Sequence, residues 1–503
     1  MGEELRTLRV HGSVAEATDR LGSLLGRRGA TAVDVDEIRS AFLSLMESTG
    51  HERIPRSSLV PSDPTTLFTG SGMQALLPHL LGEPDPRGGR LTDSQPCLRA
   101  QDIDEVGDDR HTTFFEMLGN WSLGDYFKQH QIETFFGFLI DIVGLDPHRL
   151  YVTCFIGDPG NDIPRDDESA AIWQKAFASR GIDAGIAEIG TAAAGDARGI
   201  ADGERIFFYD SNENWWSRGG NLASTPVGDP CGPDSEVFYD FGPEHHDPSH
   251  GLAHPASDGG RFLEIGNQVF MQYRRRPDGS FSPLERRNVD FGGGLERIAA
   301  AALGVPDVYA VSVLAPLIRV VEELSGTSYA DQPGPMRVIV DHVRGAYFLA
   351  VDGVRPGSKE RGYVMRRLIR RAITTARTIG LREGLFAPLV AQLGVLYGRA
   401  YPETATRGEE VLAVLSREER SFRRTLESGL RALRQFAGGA LTGEDVFMLA
   451  DTFGFPQEIT IEESIRQGIG VSSDWEPVYL RLRRDQQERS RGSSRSRTDA
   501  APA

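Results

Sequence analysis

The run CLRAQDIDEVGDDRHTTFFEMLGNWSLGDYF, residues 97 to 127, sets Arg99 at the end of one strand-like stretch and two rings, Phe114 and Phe115, on the next. An acidic, glycine-containing turn that includes Asp102 lies between them. Arginine stays charged when desolvated and offers two parallel donors, which suits a phosphate. A second run, VDFGGGLERIAAAAL, residues 289 to 303, passes from a strand pattern through three glycines into a helix. Glycines there let a backbone approach a ligand closely, and Arg297 falls in the first helical turn, where backbone amides also favour anions. A glycine run before a helix serves equally well to pack that helix tightly on a sheet, and both readings stand at this point. Together the two runs supply cations for phosphates, a surface for stacking and room for a small acid, the parts that ATP-dependent activation of a carboxylate requires.

Such residues need a frame. From about 90 to 300 the chain carries short β-like runs, TFFEMLGN, RLYVTCFI, RIFFYD, EVFYDFG and FLEIGNQVFMQY, separated by Gly, Asn and Asp, and the natural architecture for them is an antiparallel sheet. Before them VDEIRSAFLSLMESTGH reads as an amphipathic helix with Ile38, Phe42, Leu45 and Met46 on one side, followed by a strand-like SSLVP ending at Pro61. From about 305 the pattern turns helical, most clearly between Gly408 and Phe436, where Phe422, Leu426, Leu430 and Leu433 form a stripe. These shifts divide the chain into an N-terminal extension (1–33), an α+β domain (34–305), a helical domain (306–490) and a disordered, low-complexity tail (491–503).

Composition narrows the partners. At 503 residues the chain has room for two or three domains, and no apolar run approaches a membrane span, so no membrane partner is expected. Its N-terminus lacks the apolar core of a secretory signal, which points to the cytoplasm. A net charge of −17 excludes a general nucleic-acid coat, so any such contact needs a local basic patch. Residues 361 to 382, RGYVMRRLIRRAITTARTIGLR, supply one, with seven arginines and no acid, and read either as a phosphate-binding helix or as a solvated face. Cys97, Cys154 and Cys231 are too few and too scattered for a disulfide framework and read as reduced thiols. His245, His246, His250 and His254 sit in a Pro- and Gly-rich stretch whose spacing matches no metal template, so a solvated loop and no metal site are expected.

The runs RSSLVPSDPTTLFTGSGMQALLPHLLG, RHTTFFEMLGNWSLGDYFK, EIGNQVFMQY, VDFGGGLERIA, VIVDHVRGAYFLAVDGV, RGYVMRRLIRRA and DTFGFPQEIT resemble, in order, the alanyl-tRNA synthetase family of class II enzymes. The likeness covers roughly residues 34 to 490. It implies a class II antiparallel sheet flanked by helices, followed by an all-helical tRNA-binding domain, and an enzyme that joins alanine to ATP, with Mg, and passes it to tRNA(Ala). Carried residue by residue, Arg99 is similar to the motif 2 arginine at the α-phosphate and Arg297 to the motif 3 arginine at the far phosphate. Asp102 and Gly294 belong to the same nucleotide site. Phe115 matches the adenine-stacking ring, with Phe114 able to exchange roles with it. Trp216, Asn267, Asp290 and Gly292 match the alanine pocket. Asp290 suits an ammonium group and Trp216 the closing of a cavity around one methyl. For tRNA, the resemblance implies Asp451 in DTFGFP, Ser358, and the arginines Arg366, Arg367, Arg370 and Arg371.

Three departures qualify that expectation. The motif 2 turn RAQDIDEVG is short and lacks the Lys and His common in the family. Ser358 in PGSKERGY stands where an Asn is usual for reading the G·U wobble pair, and reaches less far. The chain stops near where the family's editing domain begins, so the expectation is a monomer or weak dimer without editing in cis, with a deacylase acting in trans as a candidate partner. Two other readings remain beside the leading one: a paralogue supplying activated alanine or alanyl-tRNA to another pathway, and a noncatalytic tRNA-binding regulator.

Overall fold

A computed structural model describes residues 34–63, 66–436 and 439–498. The N-terminal extension, residues 1–33, lies outside the described residues. Helix α1 (Val35–Ser48) is capped by Asp34, whose carboxylate accepts from the Asp36 amide, and buries Ile38, Phe42, Leu45 and Met46 as its periodicity predicts. The stretch SSLVP forms no strand. Its backbone donors go to side chains instead, Ser57 N–H to Gln95 Oε1 and Leu59 N–H to Asp352 Oδ2, and the strand here is the short β1 (Glu52–Arg53) just before it.

Among the described residues the main sheet has ten strands, the others being β2 (Arg90–Leu98), β3 (Phe114–Leu123), β4 (Leu150–Phe155), β5 (Gly185–Gly190), β6 (Glu204–Tyr209), β7 (Trp215–Trp216), β8 (Pro230–Asp240), β9 (Phe262–Arg275) and β10 (Phe281–Gly294). Their order is β1-β2-β3-β10-β9-β8-β4-β6-β5, with β7 against β8. The centre from β2 to β4 is antiparallel, as expected, but β1 pairs parallel to β2, and β6 pairs parallel to both β4 and β5. The sheet is therefore mixed. Helices intervene between β4 and β5 and between β5 and β6, and a crossover of that kind returns the chain in the same direction, which side-chain alternation does not report.

Alternation along the central strands separates two faces. Phe291 of β10 packs on Phe42 of α1 and on Phe135 of helix α2 (Lys128–Gly137), placing one face in the core. Asp290, Gly292 and Gly294 point to the other. On β3 the same rule sends Phe114 and Glu116 inward and Phe115, Met117, Gly119 and Trp121 outward.

Beyond helix α3 (Leu295–Leu303) come α4 (Pro333–Val351), α5 (Glu360–Thr378), α6 (Gly408–Leu433), α7 (Gly443–Phe453), α8 (Gln457–Arg466) and α9 (Trp475–Thr498). Two further strands, Ala440–Leu441 and Gly470–Val471, pair parallel, so the region is not all-helical. Helix α9 continues to Thr498, into the segment read as a disordered tail, and residues 499–503 lie outside the described residues. The largest hydrophobic cluster runs through both halves: α4 is buried from Val338 to Val351, Phe348 stacks on Phe114 at 4.3 Å, and Asp341 accepts from the Thr113 amide at 2.8 Å. Of the histidine-rich stretch, His254 is fully buried rather than solvated, between the Tyr209 hydroxyl at 2.7 Å and Asp196 at 3.0 Å.

Glu116 and Arg39 are both buried and joined by two 2.8 Å hydrogen bonds, with the Tyr401 hydroxyl donating to the same carboxylate at 2.6 Å. Burial alone would raise Glu116, but Arg39 outweighs it and holds the carboxyl below its ordinary value of 4.5. A depressed carboxyl contributes stability above its unfolded pKa and loses it as pH falls through the folded one. Arg39→Ala is therefore expected to cost about 3–5 kcal/mol at neutral pH, measured by urea unfolding. The deficit relative to the parent should shrink as the medium is acidified well below pH 4.5.

Candidate functional site

On the outward face, Arg99, Asp102, Phe115, Gly292, Gly294 and Arg297 line one cavity of about 80 Å³. The backbone of Arg99 continues the β2–β3 ladder, its amide donating to the Thr113 carbonyl at 2.9 Å, which fixes where its side chain starts. Its guanidinium lies 5.0 Å from the centre of the Phe115 ring and its Nε donates to the Gly70 carbonyl at 3.2 Å. Phe114, open as an alternative from sequence, is committed to the core by its stack on Phe348, which leaves Phe115 as the ring of the cavity. Arg297 reaches back from the first turn of α3 to Glu264, donating to its carbonyl and its carboxylate at 3.1 Å each. Asp102 is raised above its ordinary value by burial, against the pull of Arg99. The cavity thus offers two arginines from different elements together with an aromatic ring, an arrangement suited to a phosphorylated ligand with a flat base.

Asn267 and Asp290 sit beside it on neighbouring strands, with Gly292 shared by the two. Gly292 lies opposite Gly119 on β3 and Asn267 on β9, so two glycines and an asparagine make the floor. Asp290 lies opposite Trp121, whose indole N–H donates to its Oδ1 at 2.7 Å. Burial pushes the Asp290 carboxyl up to about 7, against the lowering effect of that hydrogen bond. Asn267 donates to Asp234 at 3.3 Å and to Glu236 at 3.2 Å, while its buried Oδ1 has no hydrogen-bond partner among the described residues. Trp216 of β7 packs against the apolar group of Met73, Leu76, Trp121 and Val269 at the edge of this floor. A buried carboxylate, an orphaned acceptor and a wall of indole favour a small cationic group with little apolar bulk.

Sequence reasoning overlooked Trp121, Glu264, Asp234 and Glu236. Glu264 stands three residues before Asn267 in LEIGN and lines the Arg99–Arg297 cavity, a spacing along β9 that a period of two does not predict for one face. Trp121 lies inside the quoted phrase TFFEMLGNWSLGDYF, but nothing in one strand reveals which residue lies across from it on a strand 169 positions away.

A second pocket of about 180 Å³ gathers Ser358, Arg366, Arg367, Arg370 and Arg371 against the segment from Gly454 to Ile459. The arginines are not a free phosphate comb. Arg367 pairs with Asp104 at 2.6 Å, Arg370 with Glu418 at 2.8 Å and Arg371 with Glu462 at 2.9 Å, while Arg366 lies 3.4 Å from Glu418. Local absence of acids in a helix says nothing of acids on α6, α8 and the 100–104 turn that fold against it. Arg371 also donates to the Ile103 carbonyl, so α5 pins the short turn that follows Arg99. Asp451 is exposed near the end of α7, outside the lining of this pocket, and accepts from Gln486 of α9.

A family model described as tRNA synthetases class II (A) matches residues 37–501. The alanine–tRNA ligase of Treponema pallidum is 39% identical over 455 residues, 87% of this chain and 69% of that one. Those of Halorhodospira halophila and Rubrobacter xylanophilus are 40% and 38% identical over 469 and 470 residues, 91% and 90% of this chain and 49% of each of theirs. The chain spans about half the length of these last two relatives.

The two floor glycines differ in what a side chain would meet. A Cβ at Gly119 would stand 2.3 Å from the Trp121 ring, whereas one at Gly292 meets the Met117 sulfur at 2.9 Å, the flexible end of a side chain. Gly119→Ala should lower stability by about 1–3 kcal/mol or more through overpacking, and Gly292→Ala by less than about 1 kcal/mol. Thermal melts of both variants check the order.

Proposed function

Because the chain belongs to the class II tRNA synthetases (A), we propose that it is an alanine–tRNA ligase, activating alanine with ATP and transferring it to tRNA(Ala). The observation that carries this reading is the adjacency, on one face of one sheet, of the Arg99–Phe115–Arg297 cavity and the Asp290–Asn267 floor. Adenine stacks on Phe115, Arg99 holds the α-phosphate and Arg297 the far phosphates. The alanine ammonium meets the Asp290 carboxylate and the free Oδ1 of Asn267, and its methyl faces the glycine floor and Trp216. Held in this way, an alanine carboxylate oxygen attacks the α-phosphorus and pyrophosphate leaves with its electron pair. Arg99 meets charge developing at the attacked phosphorus and Arg297 meets it on the departing group.

Magnesium enters with the nucleotide as part of the substrate. Among the described residues no three of His, Cys, Asp or Glu gather to hold a metal of their own. In the second step a ribose hydroxyl at the tRNA end attacks the acyl carbon and AMP leaves.

We assign tRNA recognition to the helices beyond residue 305. Ser358, four arginines of α5 and the Gly454–Ile459 segment share a pocket, and Asp451 lies exposed on α7, three residues before Gly454. Phosphate contacts here exchange with the carboxylates that already pair the arginines, so binding should depend on salt.

The first test is amino-acid-dependent ATP–pyrophosphate exchange. Arg297→Ala should lower exchange by about 100-fold, near 3 kcal/mol, with the thermal midpoint little changed. Asp290→Asn should raise the KM for alanine about 10- to 100-fold and leave that for ATP unmoved. Equal rises in both constants would overturn the role of Asp290. Since the ionised carboxylate binds the ammonium, kcat/KM for alanine should fall as pH drops below about 7. A second test concerns tRNA: Ser358→Asn, which restores a longer donor and acceptor, should sharpen charging of a G·U acceptor stem over a Watson–Crick variant by about tenfold. Identical ratios for parent and variant would remove Ser358 from the recognition site.

A further inference from the structure

Among the described residues the side chain that hydrogen-bonds Asp290 is Trp121, through its indole N–H at 2.7 Å to Oδ1. The contact is built in from several sides. The two residues face each other across the β3–β10 ladder, so the backbone sets their separation. The ring lies in a slot that two glycines leave open: a Cβ at Gly119 would stand 2.3 Å from it and one at Gly72 2.8 Å. Ile54, Met73, Leu76 and Leu91 close the slot, and Trp121 is fully buried. An indole N–H is a donor only, so it has nothing to accept and can satisfy nothing here but an oxygen.

The geometry points to Trp121 as the positioning residue for amino-acid binding: its N–H fixes one oxygen of Asp290 and leaves the other turned to the substrate ammonium. This rests on the reading of Asp290 as the ammonium ligand. With Oδ1 held, the carboxylate meets the substrate in one orientation and the ordering of that side chain is complete before binding. The same hydrogen bond favours the ionised form, opposing the burial that raises this carboxyl to about 7. Register also places on this face Asp93 from β2 and Asp234 and Glu236 from β8, all held above their ordinary values chiefly by burial, while Glu264 of β9, farther along in the cavity, is paired with Arg297. The side chain opposite Asp290 on β9 is the uncharged Val269. Adjacent acids of this kind do not replace the indole as a stabiliser of negative charge. The device acts on the amino acid alone, since Trp121 is not among the residues that line the Arg99–Arg297 cavity.

Trp121→Phe removes the donor and keeps an aromatic ring. In pyrophosphate exchange it should raise the KM for alanine about tenfold or more, leave the KM for ATP unmoved, and change kcat by less than about threefold. The acid limb of kcat/KM for alanine should move about one unit to higher pH, because the carboxyl loses the hydrogen bond that favours its charge. In the Asp290→Asn background, Trp121→Phe should add nothing to the alanine KM. Incorporation of β-(3-benzothienyl)alanine at position 121 replaces only the N–H by sulfur and serves if the phenylalanine variant folds poorly. An alanine KM and acid limb like the parent's in either variant would overturn the proposal, as would equal rises in both KM values. If Asp290→Asn itself left alanine binding intact, the underlying assignment of Asp290 would fail, a result the Trp121 variants alone do not produce.

Discussion

Glu116 and Glu296 lie inside the molecule with 0% and 3% of their surface exposed, and a carboxylate so placed must be met by a cation and by donors or it will not stay ionised. Arg39 of α1 meets the first and Arg344 of α4 the second, and the Glu116 amide itself donates to Glu296. Tyr401, from beyond α5, closes on Glu116. Segments separated by hundreds of residues are thereby brought to one point beneath β3. Breaking a buried pair of this kind costs far more than the pair contributes over an apolar substitute, so the network specifies an arrangement more than it adds stability. What it specifies is that the helical half sits against the strand that carries Phe115 on its other side.

That opposition of faces is the second organising fact. On β3, the even positions from Phe114 to Asn120 are engaged with the core, and the odd positions from Phe115 to Trp121 make the site. On β10, Phe291 packs among Phe42 and Phe135 while Asp290 and Gly292 lie on the reverse. A ligand on the outer face therefore rests on a sheet whose inner face is closely packed, and the arginines and carboxylate above it have little freedom to drift.

The charges outside the core follow a related logic. Four arginines of α5, Arg366, Arg367, Arg370 and Arg371, are paired with Asp104, Glu418 and Glu462 from three other segments, and two of them hold the turn that leads away from Arg99. The basic helix is thus a joint between the outer-face site and the later helices as well as a candidate surface for phosphate. A chain with net charge −17 can carry such a helix without becoming a general polyanion binder, because its partners are already close by.

From the sequence alone came the chemistry of the single runs: an arginine, a ring and a glycine-rich entry to a helix are local patterns, and the resemblance of ordered motifs carries their family. Helix α1 and the central strands were likewise legible, since periods of 3.6 and 2 are written in neighbouring residues. Tertiary structure alone decided whatever depends on distant partners. Which of Phe114 and Phe115 faces the cavity was settled by Phe348, and whether SSLVP becomes a strand by Gln95 and Asp352. The burial of His254 required Tyr209 and Asp196, the pairing of four α5 arginines required acids from elsewhere, and the parallel edges of the sheet required helical crossovers. The pairing of Trp121 with Asp290 belongs to the same class. Side-chain period records which way a residue points along its own strand, but not which strand lies beside it, and that neighbour determines whether a buried polar group finds its partner.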